Sequence, residues 1–389
     1  MKNHGGNGAR RMKRKTNMRI CIDARMMGAG TTRGIGRFIE ELIAALLEVA
    51  PQHRYVLVVR QAAHRFVSHP SIETVVADIP WYGWKEQVYL PGIFRRIRAD
   101  RYFIPHWNVP YFGMPDPFVV FIHDLMLFHV PESAKASLRH PLIAWLKRMA
   151  HRLVVAHAIR SSRAILTPTQ TVKDDVAAFF SGFAAKIRVT GEGMGNIQKI
   201  QNFSTQYSVL STQKMLLSVG SAYPHKALEE VVETWSSIRK EVPDLEWWIV
   251  GEQDVFMQRL MHSVEEKNLT GIRFLGQVSD EELSKLYSKA IGLLYPSRFE
   301  GFGLPPLEAL AAGCPVIARE IPALVEVLGR DGAFFFRDGV KDAILIAVRN
   351  LVADPVKARE QAHDIAKKLV LQHRWQEAAR RVISALTDA

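Results

Sequence analysis

The sequence predicts an α/β protein made of two doubly wound, Rossmann-like domains whose parallel sheets face each other across a deep cleft. Short apolar runs typical of buried strands alternate with helical patterns along most of the 389 residues. A chain of this length is expected to contain two or three domains. The alternation stops at residues 196–213, which are rich in Asn, Gln, Ser and Thr and are interpreted as an interdomain linker. Ligands of such sheets bind at the carboxyl ends of the strands.

Each domain has its own series of predicted strands and helices. Apolar runs predict strands of the first domain (residues 18–195) at 18–22, 55–59, 118–122 and 164–167, with helices at 34–50, 141–159 and 170–180. In the second domain (residues 214–370) the same signals predict strands at 214–219, 245–250, 272–275, 291–295 and 315–318, with helices at 226–240 and 305–313. Residues 371–389 continue a helical C-terminal region.

The composition excludes several classes of protein. Hydrophobic residues make up 48% of the chain and charged residues 23%, which excludes wholesale disorder. Two cysteines, Cys21 and Cys314, cannot form a disulfide framework or a cysteine-rich zinc site. No apolar run has the length of a membrane span, and no signal-peptide pattern follows the basic start. We therefore predict a cytoplasmic protein.

Positive charge is concentrated in two segments. Residues 1–17 are basic and lack an apolar pattern, so they predict a disordered tail, and Met18 is an alternative translation start. Residues 133–173 hold eight Lys/Arg and no Asp or Glu, around a helical pattern that begins at Pro141. This helix suits either an anionic membrane surface or a core position with a basic outer face. No aromatic-interleaved basic motif indicates nucleic acid, so no nucleic-acid partner is predicted.

The densest chemistry lies in residues 296–308, between a predicted strand and a predicted helix. Gly301 and Gly303 allow positive φ and a close approach of backbone N–H groups to a ligand. The helix N-terminus that follows favours an anion such as a diphosphate. Glu300 and Glu308 flank this turn and can accept hydrogen bonds from two sets of hydroxyls. The arrangement is typical of a site for a nucleotide sugar, with one acid for the hexose and one for the ribose.

These motifs resemble a known enzyme family. The Glu-x7-Glu spacing from Glu300 to Glu308 and the segment 309–317 that follows resemble retaining GT-B glycosyltransferases of family 4. Residues 373–379 resemble the last helix of the family, so the resemblance implies that residues 371–389 cross back to the first domain. It covers nearly all of residues 18–389.

A second matching segment is Ser218–Lys226, which resembles the diphosphate-binding turn of that family. Lys226 matches, whereas Ser221 and His225 occupy the two places where members usually carry an arginine. Arginine binds phosphate with two parallel hydrogen bonds, which histidine cannot reproduce. A protonated His225 beside the phosphates would partly replace it.

The resemblance implies a role for each matching residue. His123, at the end of a predicted strand, is implied to contact the donor sugar, and Glu300 to orient it; these are the predicted catalytic residues. The predicted donor-binding residues are Gly34, Gly36, Ser221, His225, Lys226, Phe302, Gly303, Leu304 and Glu308. The predicted acceptor-binding residues are Arg37, which matches a family motif, and Trp107 and Asn108, which lie in an aromatic-rich loop. The aromatic residues of this loop suit stacking on an acceptor sugar, insertion into lipid or a place in the core.

The glycine-rich run Gly28–Arg37 has a second interpretation. It also reads as a dinucleotide fingerprint, which would indicate a nicotinamide-dependent oxidoreductase. Such enzymes carry an acid after the second strand, where this chain has Arg60. In the resembling family this loop borders the donor diphosphate and the acceptor.

The resemblance implies transfer of a hexose with retention of configuration. No Asp-x-Asp motif is present, so we predict no metal and no cofactor. The motifs look most like mannosyl- and rhamnosyltransferases of polysaccharide and O-antigen assembly. They favour GDP-mannose as donor, a lipid-linked or growing glycan as acceptor, and a peripheral position on the inner face of the plasma membrane. A non-catalytic homologue that acts as a membrane-surface scaffold is the alternative from another class.

Overall fold

The structure is a computed structural model that describes residues 17–28, 33–133, 141–194 and 214–388. These residues form two parallel sheets of seven and six strands, each with helices packed on both faces. The predicted α/β class with two doubly wound sheets is confirmed. The predicted linker at 196–213 and nearly all of the predicted tail lie outside the described residues.

The first domain contains the seven-stranded sheet. Its strands are β1 (Arg19–Asp23), β2 (Arg54–Val59), β3 (Ile72–Val76), β4 (Arg101–Ile104), β5 (Phe118–Phe121), β6 (Ala164–Thr167) and β7 (Ile187–Val189). Its helices are α1 (Arg33–Val49), α2 (Trp84–Ile97), α3 (Met126–His129), α4 (Pro141–Ser161) and α5 (Gln170–Phe179). The strand order is β3-β2-β1-β4-β5-β6-β7, and all neighbours are parallel. The order therefore reverses between β1 and β4, which opens a crevice at their carboxyl ends.

The second domain contains the six-stranded sheet. Its strands are β8 (Met215–Val219), β9 (Glu246–Val250), β10 (Ile272–Gly276), β11 (Gly292–Tyr295), β12 (Val316–Arg319) and β13 (Phe334–Phe336). Its helices are α6 (Leu228–Glu241), α7 (Val255–Glu266), α8 (Asp280–Lys289), α9 (Leu304–Ala311), α10 (Pro322–Leu328), α11 (Ala343–Ala353) and α12 (Pro355–Gln372). The order β10-β9-β8-β11-β12-β13 places β8 beside β11. The loops after these two strands therefore meet at one edge of the sheet.

The last helix, α13 (Trp375–Asp388), packs against the first domain. Its buried residues Ala379 and Leu386 share a core with Phe38 and Leu42 of α1. The carbonyl of Leu386 also accepts a hydrogen bond from Arg101 Nε, at 2.7 Å. The chain thus crosses back to the first domain after the second sheet, as the sequence predicts.

Four strands were not predicted from the sequence: β3, β4, β7 and β13. Each has three to five residues, and β3 at the sheet edge has no fully buried residue. Such short runs carry little periodic signal. A smaller difference concerns Lys226, which lies in a 3-10 turn (Pro224–Lys226) before helix α6 and not in the helix.

Candidate functional site

The loop between β11 and α9 forms the floor of the candidate site. Gly303 has φ +93°, a left-handed conformation that glycine adopts without strain, and it immediately precedes α9. A Cβ at this position would lie 2.5 Å from Leu324 Cδ2, so only glycine fits. Leu304 begins the helix and Phe302 is buried against the ring of His373, with ring centroids 5.4 Å apart. The helix N-terminus therefore opens at the carboxyl edge of the sheet.

Lys226 and Glu300 form the central ion pair of this site. Lys226 follows β8 and Glu300 follows the neighbouring strand β11, so the sheet brings together residues far apart in the chain. Lys226 Nζ donates to Glu300 Oε1 at 2.5 Å and to the hydroxyl of Tyr295 at 3.2 Å. Burial is the largest influence on Glu300 and raises its pKa, but the charge of Lys226, the influence of His225 and the hydrogen bonds from Lys226 and Tyr295 together outweigh burial, so the net pKa lies below the ordinary value. Glu300 is therefore an ionised hydrogen-bond acceptor at neutral pH.

Glu308, the second predicted acid, lies in helix α9 and is nearly buried. Its Oε1 is 2.8 Å from Arg37 Nη1 of the first domain, and the hydroxyl of Tyr287 lies 3.4 Å from its Oε2. Arg37 was predicted to bind the acceptor. In this structure it pairs with the predicted ribose-binding carboxylate across the cleft.

The predicted diphosphate turn follows β8. Gly220 has φ +134°, and a Cβ on the adjacent Gly251 would lie 2.0 Å from the carbonyl oxygen of Gly220, so the two backbones touch here. Ser221 is half-buried in the turn. The expectation that His225 is charged needs correction for the unliganded protein, because burial and then Lys226 lower the pKa of His225 to about 3. His225 is a neutral imidazole at physiological pH, and Lys226 is the cation of the turn.

Gly301 carries the loop across to the first domain. A Cβ on Gly301 would lie 2.0 Å from the carbonyl oxygen of His123. The carbonyl of Gly301 accepts a hydrogen bond from Thr169 Oγ1 at 3.0 Å, and Thr169 also caps helix α5 by accepting from the N–H of Val172. Thr169 thus caps helix α5 and also ties the Gly301 loop to the first domain.

His123 lies at the carboxyl end of β5, facing this loop. Its Nδ1 is 3.2 Å from Glu192 Oε1, and its Nε2 is 3.1 Å from the carbonyl oxygen of Pro105. The ring also packs edge-on against Phe38, with centroids 4.7 Å apart. Both ring nitrogens are therefore held by protein groups, which fixes the orientation of the imidazole.

The neighbouring Asp124 is a half-buried acid at the same strand end. It accepts a hydrogen bond from the N–H of Met126 at 2.8 Å. Burial raises the pKa of Asp124, and the negative charge of Glu300 adds to the effect against the opposing influence of His123. The strand end thus places a second carboxyl group within electrostatic reach of Glu300.

The other predicted acceptor residues lie deeper in the first domain. Trp107 stacks on Tyr82, with ring centroids 5.3 Å apart. Asn108 is buried and donates from Nδ2 to Glu86 Oε2 at 2.5 Å. Glu86 also pairs with the buried Arg25, so Asn108 belongs to an internal polar network. Gly34 and Gly36 lie in the first turn of α1, and residues 29–32 before them are outside the described residues.

Contacts between the domains involve residues that the sequence did not single out. Glu326 of α10 accepts hydrogen bonds from the backbone N–H groups of Gln170 and Thr171 at 2.6 and 2.8 Å, at the N-terminus of α5. His129 stacks on Phe299, with ring centroids 4.9 Å apart.

Two residues of the site, Glu192 and Glu326, were not predicted from the sequence. The sequence feature that could have indicated Glu192 is its position between two glycines at the end of the first domain. Nothing local marked Glu326, whose partner helix lies about 155 residues away.

The comparisons with known proteins point to one family. Residues 200–369 match the family model described as "Glycosyl transferases group 1". The chain is 28% identical over 288 residues to the O-antigen chain mannosyltransferase RfbU of Salmonella typhimurium, covering 73% of this chain and 74% of that protein. It is 26% identical over 287 residues to the O-antigen chain mannosyltransferase B of Escherichia coli, covering 69% of each.

A solved structure with a similar fold is that of Anabaena Alr3699/HepE in complex with UDP and glucose. The match has a TM-score of 0.70 at 16% sequence identity and covers 96% of this chain and 100% of that chain. At this identity the likeness shows the fold alone. It supports the two-domain architecture in which the two sheets face a shared cleft.

Proposed function

We propose that this chain, a group 1 glycosyltransferase with the two-domain GT-B fold, transfers mannose from GDP-mannose to a lipid-linked or growing glycan. The enzyme class rests on the family match and on the O-antigen mannosyltransferases among its relatives. GDP-mannose as donor, retention of configuration, metal independence and the residue roles below belong to the proposal. The match to glycosyltransferases argues against the oxidoreductase.

The observation that supports the proposal best is the Lys226–Glu300 pair at the mouth of helix α9. Lys226, the N–H groups of the turn after β8 and the N-terminus of α9 face the place where a diphosphate would lie. Glu300 is ionised beside them and can accept from hexose hydroxyls, while Glu308, which already contacts Arg37 and Tyr287, can accept a further hydrogen bond from a ribose hydroxyl. The site therefore contains hydrogen-bond donors for the two phosphates, and it has a carboxylate acceptor on the hexose side and another on the ribose side.

In the proposed reaction, the bond between the anomeric carbon and the diphosphate oxygen breaks as the acceptor oxygen bonds to the same face of that carbon. The acceptor proton passes to an oxygen of the leaving diphosphate, so the products are the glycoside and the nucleoside diphosphate. Lys226 stabilises the charge that develops on the leaving group; contacts of this type are worth roughly 2–4 kcal/mol. Glu300 orients the hexose and does not form a covalent bond.

His123 is proposed to contact the hexose from the first domain. Its backbone carbonyl lies against Gly301, and Glu192 contacts Nδ1 of its ring at 3.2 Å. A hexose hydroxyl would take the place of the Pro105 carbonyl at Nε2. Because His123 and Glu300 belong to different domains, closure of the cleft brings both groups to the sugar and excludes water.

The acceptor side is proposed to meet an anionic membrane surface through α4 and the neighbouring loop. Leu142, Trp145, Leu146 and Leu153 of α4 are exposed, and Lys147, Arg148 and Arg152 are exposed on the same helix. Phe112, 77% exposed, lies in a loop that packs on α4 through the stacking of Tyr111 on His157. Among the described helices, none has the length and hydropathy of a membrane-spanning segment. Apolar side chains beside basic ones favour binding in the interface of a bilayer with anionic lipids.

The donor is tested with radiolabelled GDP-mannose, UDP-glucose and dTDP-rhamnose, and with a glycolipid fraction as acceptor. We expect transfer or slow hydrolysis of GDP-mannose alone, and a rise in thermal stability with GDP. In Glu300→Gln, which keeps the size of the side chain, transfer should fall by at least a hundredfold while the melting temperature stays within a few degrees. The proposed function would be wrong if the protein turned over none of these sugar nucleotides and if none of them raised its melting temperature.

A further inference from the structure

The diphosphate turn of the second domain is held from the first domain by one hydroxyl group. Ser133 ends a 3-10 turn (Pro131–Ser133) that follows α3. Its Oγ lies 3.1 Å from the backbone nitrogen of His225 and 3.0 Å from His225 Nδ1. Both residues are buried, with 4% and 6% of their surface exposed. Neither domain alone would form this pair.

The hydrogen-bond partners of the two residues point to one position for the ring proton. The backbone N–H of His225 can only donate, so Ser133 Oγ accepts from it. Among the described residues, Nδ1 is the one acceptor present for the Ser133 hydroxyl proton, and an Nδ1 that accepts this proton is itself unprotonated. The one ring proton of a neutral imidazole is consequently on Nε2. Within the described residues, no hydrogen bond to Nε2 is present.

We propose that Ser133 is a positioning residue that holds His225 as an Nε2–H donor to the diphosphate of the sugar nucleotide when the domains are closed. The proposal rests on the proposed function, because it assumes that the turn after β8 binds a diphosphate. It explains how a chain with His225 in place of an arginine retains a hydrogen-bond donor at this position. The imidazole is a neutral hydrogen-bond donor, so Lys226 provides the positive charge at the diphosphate and His225 provides one oriented hydrogen bond.

The electrostatic surroundings agree with a neutral ring. Burial is the largest influence that lowers the pKa of His225, the charge of Lys226 lowers it further, and Glu300 acts in the opposite direction. The hydroxyl of Ser133 donating to Nδ1 also favours the neutral ring. The contact links leaving-group stabilisation to closure, since an open cleft would separate Ser133 from His225 and free the imidazole to change tautomer.

The test compares Ser133→Ala with Ser133→Thr by measuring the Kd for GDP-mannose calorimetrically. We expect a loss of about tenfold in affinity for the alanine variant, the factor that one lost hydrogen bond of this kind gives. The threonine variant keeps the hydroxyl and should stay within about threefold of the wild type. Nitrogen-15 shifts of the His225 ring, identified by their absence in His225→Arg, should report the Nε2–H tautomer in the wild type and a mixture in Ser133→Ala.

Two controls separate positioning from a general loss of domain contact. Thr171→Ala removes another cross-domain hydrogen bond, from Thr171 Oγ1 to Glu326 at 2.7 Å, and should leave the Kd within about threefold. When His225 is replaced by arginine, Ser133→Ala should raise the Kd by less than about a third of the factor seen in the wild type. A guanidinium donates hydrogen bonds from all its nitrogens, so Ser133 has no tautomer to select. Equal effects of Ser133→Ala and Thr171→Ala, or an unchanged Kd in Ser133→Ala, would overturn the inference and leave the proposed function standing. Failure of the wild type to bind either GDP-mannose or UDP-glucose would instead overturn the proposed function.

Discussion

The guanidinium of Arg37 in the first domain lies 2.8 Å from the carboxylate of Glu308 in the second domain. Glu308 side-chain exposure is only 9%, so this pair closes one end of the cleft with little access to water. Each carboxylate oxygen can accept more than one hydrogen bond, so Glu308 can keep its contacts with Arg37 and Tyr287 and also accept from a ribose hydroxyl. The pair therefore joins nucleotide binding to the approach of the two domains.

The first prediction concerns Glu308→Gln. Because an ionised acceptor is replaced by a neutral amide, GDP should bind about tenfold more weakly, which corresponds to the loss of one charge-assisted hydrogen bond. The measurement is a calorimetric titration with GDP and with its 2′-deoxy analogue. Removal of the 2′-hydroxyl should weaken binding to the wild type but change little in the variant. If removal of the 2′-hydroxyl weakened binding equally in the wild type and the variant, Glu308 would not contact the ribose.

A second prediction follows from the contact of Gly301 with His123. In Gly301→Ala, the new Cβ would lie 2.0 Å from a backbone oxygen that cannot rotate away, so the loop with Glu300 must move. We expect transfer to fall by at least a hundredfold, since misplacement by about 1 Å costs that much. Gly92→Ala on helix α2, where nothing lies within 4 Å of the new Cβ, is the control. It should retain full activity and equal or greater thermal stability.

A third prediction uses the ion pair of Lys226 and Glu300. In the wild type the pKa of Glu300 is below its ordinary value, so the pair stabilises the fold above the unfolded pKa and the contribution is lost as pH falls through the folded pKa. In Lys226→Met, the largest opposing influence on Glu300 is removed, so burial prevails over the weaker contacts and the pKa of Glu300 rises above its unfolded value. The variant should lose about 3–5 kcal/mol at pH 7, and its deficit relative to the wild type should shrink toward pH 5.

The measurement is the melting temperature of both proteins from pH 5 to pH 8. The double variant Lys226→Met with Glu300→Gln has no buried charge at this position, so it should regain much of the stability at pH 7 and lose the pH dependence. If the loss of stability in Lys226→Met relative to the wild type stayed constant with pH, Glu300 would not be the charged group responsible for that loss.

The fourth prediction addresses the surface of α4. Reversing two exposed charges, in Lys147→Glu with Arg148→Glu, should remove about 1 kcal/mol per charge of attraction and add repulsion, so binding to phosphatidylglycerol vesicles should fall at least tenfold. Sedimentation with vesicles, against phosphatidylcholine vesicles as the neutral comparison, gives the result. Arg349→Glu would disrupt the pair with Glu241 on the second domain, remote from α4, and should leave vesicle binding intact. Equal binding by the α4 variant would exclude this surface.

The fifth prediction is that the reaction needs no divalent cation. Lys226 and backbone N–H groups are expected to stabilise the leaving diphosphate, so the rate with GDP-mannose should be unchanged by excess EDTA. Adding Mg²⁺ or Mn²⁺ to the treated enzyme should also change the rate by less than about twofold. A loss on chelation that either metal restores would show that the diphosphate is held through a metal.

The sequence identified the elements that have strong local signals. The helix after Gly303 and the buried strands β1, β5 and β11 were recognisable from apolar runs, prolines and glycines that act within a few residues. The strands β3 and β13 were missed because a run of three to five residues at a sheet edge carries little periodic signal, although each pairs with the strand just before it in the chain. The charge state of His225 could not be predicted either, since it depends first on burial in the folded protein and then on the charge of Lys226.

What the sequence alone determined about this protein is the α/β class, the division into two units, and the residues that flank the turn before α9. Those follow from local chemistry: the periodicity of apolar residues, the conformational freedom of glycine, and the charges near a helix N-terminus. Only the tertiary structure decided that Lys226 meets Glu300, that Glu192 holds His123, and that Arg37 faces Glu308. Their proximity depends on which strand ends lie side by side and on how the domains face each other, and long-range pairing sets both.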